Sequence, residues 1–89
     1  MTVRDNRSFS RFEMDTTHGP SFIDYRREQG VVTMTHAEVP AELNGQGIGS
    51  QLVKGALDLV RKDGEKVIPV CPFVAIYIKR HSEYQALLV

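Results

Sequence analysis

The stretch Leu43-Asn44-Gly45-Gln46-Gly47-Ile48-Gly49-Ser50 places three glycines at alternate positions, directly ahead of an apolar run with helical spacing. The first turn of a helix carries N–H groups with no partner inside the helix, and a partial positive charge. A chain bare of side chains lets an anion approach those groups closely. The pattern suits a phosphate or pyrophosphate held by main-chain donors of Gly45, Gln46, Gly47, Ile48, Gly49 and Ser50, with the Ser50 hydroxyl as a further donor. The same glycines could instead meet the dihedral demands of a turn. A Lys-bearing phosphate loop fits poorly, because no lysine follows any of the glycines. A dinucleotide fingerprint also fits poorly, because its last glycine would fall on Ser50 or Leu52.

Two more residues could do chemistry. Cys71 follows the apolar run Val67-Ile68-Pro69-Val70 and precedes Pro72, a residue well suited to a first helical turn. A thiol at a helix N-terminus is favoured as thiolate and could act as a nucleophile. A free cysteine is equally at home as a small buried apolar group. His36 lies in the run leading to the glycines. Strict alternation would set Met34, His36 and Glu38 on one face of a strand. There His36 could act as a general base or activate Cys71, or simply be hydrogen-bonded within a sheet. His18 and His81 read as loop and helix-end residues. The histidines and the cysteine lack metal-site spacing, so no metal is expected.

The elements that must position these groups are legible. Residues 8–14 and 22–28 read as strands separated by the turn chemistry of residues 14–21. Gln29-Gly30 is a tight reversal into a third strand over residues 31–39, rich in β-branched residues and ended by Pro40. Ile48, Leu52, Val53, Ala56, Leu57 and Val60 predict an amphipathic helix from about Gly47 to Lys62, stopped by Asp63-Gly64. Residues 67–70 suit a short buried strand, and residues 73–81 a second helix with Phe73, Ile76, Tyr77 and Arg80 on one face. Residues 82–89 form a turn and a short apolar element. The order β-β-β-α-β-α, with a final β left open, predicts an α+β (mixed α/β) fold, a mostly antiparallel sheet with two helices packed on it.

The chain has 89 residues, which predicts a single domain over 1–89. Eleven basic residues balance eleven acidic ones, which argues against nucleic-acid binding through a broad basic surface. No window is apolar enough to span a membrane, and none is expected to be bound. One cysteine cannot close an internal disulfide, which points to a cytoplasmic setting.

Taken together, the run Val39-Pro40-x-x-Leu43-x-Gly45-x-Gly47-Ile48-Gly49, the strand Thr35-His36-Ala37-Glu38-Val39-Pro40, the element Val70-Cys71-Pro72-Phe73 and the segment Arg80-His81-Ser82-Glu83-Tyr84 resemble one family. They are similar to the very small, single-domain, Cys-Pro-Phe-containing branch of the GNAT-type N-acetyltransferases, from about Phe9 to Leu88. Gly47 and Gly49 match the two small positions of that family's [QR]-x-x-G-x-[GA] signature; Asn44 stands where Gln or Arg is usual. The resemblance implies acetyl transfer from acetyl-CoA to an amine acceptor. It implies a pyrophosphate held by the loop, including Asn44, and a pantetheine arm paired along Ala37, Glu38 and Val39 as an extra strand would be. It makes Cys71 a candidate nucleophile or a neighbour of the thioester, and Tyr77 a candidate proton donor to the departing thiolate. Tyr77 could equally be a packed helix residue. Larger members carry a helical pair after their first strand that helps build the acceptor site, and this chain has no room for one. The acceptor stays open, a second copy could complete its site as a homodimer, and the alternative is a non-catalytic acyl-CoA-binding or interaction module.

Overall fold

The computed structural model describes residues 2–89. Five strands form one sheet in the order β1 (Val3–Asn6), β2 (Arg11–Thr16), β3 (Gly19–Glu28), β4 (Val31–Glu38) and β5 (Lys66–Pro69). The first four make an antiparallel meander, and β5 pairs with β4 in parallel. Between β4 and β5 runs α1 (Ile48–Lys62), and α2 (Pro72–Arg80) follows β5. The expected mixed, mostly antiparallel sheet with two helices is therefore present.

Several boundaries differ from expectation. Val3–Asn6 is an unanticipated first strand, so the order is β-β-β-β-α-β-α. The strand expected over residues 8–14 begins only at Arg11, because the Phe9 and Ser10 amides donate to the Asn6 and Arg7 carbonyls and close a turn. The anticipated turn over residues 14–21 is mostly strand; the reversal is confined to the Thr17-His18 corner, where the Thr16 hydroxyl accepts a hydrogen bond from the His18 amide and donates one to the Gly19 carbonyl. The last segment is a 3-10 helix over Ser82–Leu87, after which Leu88 bridges to Val67 and borders the β5 edge.

Both helices pack on one face of the sheet. Leu52, Val53, Ala56, Leu57 and Val60 of α1 share a core with Phe12, Met14, Ile23 and Met34 of the sheet, and with Val74 and Ile78 of α2. Residues opposed across a ladder point the same way. The opposite face therefore carries Arg4, Asn6, Arg11, Glu13, Phe22, Asp24, His36 and Glu38. No helix of the described residues covers it, and its groups pair with one another: Arg4 with Glu13 at 2.9 Å, and Arg11 with Asp24 at 3.3 Å. At the far end of the core face Arg27 joins Asp5 of β1 (3.0 Å) to Glu65 before β5 (2.9 Å). No described helix is long and apolar enough to cross a membrane.

Candidate functional site: a cleft where the sheet splits

The β4–β5 ladder runs from Val31↔Lys66 to Met34↔Pro69 and stops. Two local features end it. Pro69 has no N–H to continue the ladder. On β4, Asp24 pairs with His36 and Tyr25 with Met34, so Thr35 is an extra, unpaired residue, a β-bulge. A bulge bends its strand and disrupts pairing. Beyond Met34, β4 has no strand partner on its β5 side among the described residues. The Cys71 amide donates to the Met34 carbonyl at 2.9 Å, pinning the start of α2 at the fork.

The bulge also corrects the predicted face. Met34 is fully buried, whereas His36 and Glu38 point to the open side of the sheet, their side chains 3.8 Å apart. One added residue reverses the alternation, so Ala37 and Val39 turn inward instead. They line a cleft of about 420 Å³ at the fork.

The other walls of the cleft come from the glycine stretch and α2. Leu43, Asn44, Gly45 and Gly47 form one side, Ile48, Gly49, Ser50 and Leu52 of α1 the next, and Phe73 of α2 closes it. Gly45 (φ 82°) and Gly47 (φ 76°) are left-handed, a conformation costly for residues with a Cβ. Gly47 is the N-cap of α1 and no side chain caps the helix. The first-turn amides thus face the cleft mouth uncapped. Among the described residues no charged side chain lines the cleft, so an anion there would be held by main-chain dipoles. Among the described residues there is no cluster of metal-ligating side chains.

The remaining predicted residues divide. Gln46 and Glu38 are exposed and do not line the cleft. Cys71 is buried at the N-cap of α2, on the helix side, and forms no hydrogen bond with His36 among the described residues. Tyr77 is buried one helical turn beyond Phe73 and stacks on His81, with ring centroids 3.9 Å apart. Burial pushes its hydroxyl above the usual tyrosine range; Lys54 opposes this, while Glu83 and Asp58 add to it. The cleft thus brings together Ala37, Val39, Asn44, Gly45, Gly47, Ile48, Gly49 and Ser50, but not His36 with Cys71. Sequence reasoning missed Leu43, Leu52 and Phe73 as cleft walls. Phe73 was legible as a helix-face residue, yet only the approach of α2 to α1 gives it this place.

The NMR solution structure of a GCN5-like protein from Staphylococcus aureus superposes with a TM-score of 0.73 at 23% identity, covering 98% of this chain and 86% of that one. No curated protein shows a significant match to the chain. The sequence profile described as GCN5-related N-acetyl-transferase matches residues 11–87, and the chain belongs to that family.

Proposed function

We propose that the protein transfers an acetyl group from acetyl-CoA to an amine. The observation that carries this reading is the uncapped first turn of α1, fed by two left-handed glycines, opening into a fork whose β4 edge has no strand partner among the described residues. A pyrophosphate would rest on the amides of Gly45 to Ser50. A neutral pantetheine arm would run along Ala37 to Val39 as an added strand. The amine nitrogen then forms its bond to the acetyl carbon, the C–S bond breaks, and the thiolate takes a proton, for which Tyr77 is the candidate donor. Cys71 would either lie beside the thioester or accept the acetyl group first, and His36 is the candidate base on the acceptor side.

The placement of His36 and Cys71 on opposite sides of the sheet favours a second reading, a domain that binds the acyl-CoA without a Cys-His relay. Calorimetry tests the donor site that both readings share, and product formation separates them. Acetyl-CoA at a hundred times its Kd should add ~2.7 kcal/mol and raise Tm by about 10 °C or more. Incubation with acetyl-CoA should add one acetyl group to wild type and none to Cys71→Ala if the thiol is acylated. Formation of acetylated products from a panel of peptide and polyamine amines supports transfer. Donor binding with no product supports the binding module, and no donor binding sinks both readings.

A further inference from the structure

Gly49 differs from the other two loop glycines. It lies inside α1 with ordinary helical dihedrals, so no backbone strain calls for glycine there. A Cβ at Gly45 or Gly47 would meet open space, whereas a Cβ at Gly49 would lie 2.8 Å from Cζ and 3.0 Å from Cε2 of Phe73. Contacts below van der Waals distance force something to move. The missing Cβ of Gly49 therefore leaves room for an aromatic ring. The backbone that carries the ring is anchored: Phe73 follows Pro72 in the first turn of α2, and Cys71 is tied to Met34 at the fork. Its front is unfinished. Phe73 is 46% exposed although it lines the cleft beside apolar Ala37, Val39 and Ile48. A half-bare aromatic ring next to a row of anion-binding amides, with no charged side chain in the cleft, suits a ligand whose charged end is followed at once by a neutral chain.

We propose that Phe73 is the specificity wall of the donor site: it covers the neutral arm where that arm leaves the phosphates, and Gly49 positions the ring. This rests on the donor reading given above.

The test measures binding of coenzyme A and of its arm-less fragment, 3'-phospho-ADP, to wild type, Phe73→Ala, Gly49→Ala and the double variant, with melting temperature as a folding control. Phe73→Ala should weaken coenzyme A about tenfold, the share expected for covering half a phenylalanine, and leave the arm-less fragment within about twofold. Gly49→Ala should weaken coenzyme A in wild type but add little in the Phe73→Ala background, because the clash partner is gone. Equal loss of both ligands in Phe73→Ala, unchanged coenzyme A affinity, or additive effects of the two substitutions would overturn the assignment while leaving the donor reading intact. Failure of wild type to bind coenzyme A at all would overturn both.

Discussion

Gly55→Ala sets two magnitudes against each other. Gly55 lies in the interior of α1, where alanine is favoured by ~1 kcal/mol on helix propensity. The Cβ that alanine adds would stand 2.3 Å from Cγ2 and 2.7 Å from Cβ of Val3 in β1. Carbon atoms rest at about 3.5–4.0 Å, so β1 would have to retreat by roughly 1 Å or more. Overpacking of this kind costs ~1–3 kcal/mol. The retreat also strains the ion pair between Arg27 and Asp5, which anchors β1 at 3.0 Å. The clash should win by about 1 kcal/mol, which lowers Tm by about 4–8 °C in a domain of this size. Urea unfolding at constant m-value measures it. Val3→Ala removes Cγ2, so the double variant should recover part of the loss, with a coupling energy of about 0.5 kcal/mol or more. A Gly55→Ala protein as stable as wild type, or more stable, would refute the packing of β1 on α1 described above.

Other outcomes follow from the loop and from buried hydroxyls. Gly47→Ala has no steric neighbour within 4 Å, so its whole cost is the left-handed φ of 76°, about 1–2 kcal/mol; Gly47→Asn should cost less, and equal urea midpoints for both and wild type would refute that conformation. Burial holds Tyr25, Tyr77 and Tyr84 above the ordinary tyrosine range, with Asp5 and Asp58 reinforcing it at Tyr25 and Tyr84. Their stabilising contribution is complete below the unfolded value of about 10 and is lost as pH rises through the folded values. Phenolate absorbance should therefore appear together with unfolding, and a tyrosine titrating in the native protein at its ordinary pH would contradict this. For Asp58, burial pushes the carboxyl up, but hydrogen bonds from Tyr84 and Lys54 outweigh it and hold the carboxyl low. That contribution is present above about pH 4 and lost as pH falls through the folded value, and Tyr84→Phe should cost about 1 kcal/mol near neutrality.

What the sequence made legible was periodic or local. The α1 stripe, the Gln29-Gly30 reversal, the Asp63-Gly64 stop and the bare loop all lie within a few residues of the features that define them. β1 was not legible, because Val3 is the one apolar residue in Val-Arg-Asp-Asn, and its strand state depends on pairing with β2 and on a gap at Gly55. The Thr35 bulge was equally hidden. It exists only in the register between β3 and β4, yet it decides that His36 faces away from Met34 and that Ala37 enters the cleft. Alternation counts residues and cannot see an inserted one. That a Cβ at Gly49 would meet Phe73 was equally hidden, because Phe73 is remote in sequence.

The sheet's strands are not equivalent in how far the chain must travel to pair them. β1 to β4 join through short reversals, so each pairing closes only a small loop. β5 reaches β4 only after the whole of α1, and it holds on through four residue positions. Closing that larger loop costs more chain entropy, and non-local pairings are made later in folding. The cleft lies on this boundary. Its β4 wall belongs to the early, locally closed meander, and its Phe73 wall to the segment that docks last. A molecule gripping both walls would therefore act as a fastener, holding the least firmly closed part of the sheet against the most firmly closed part.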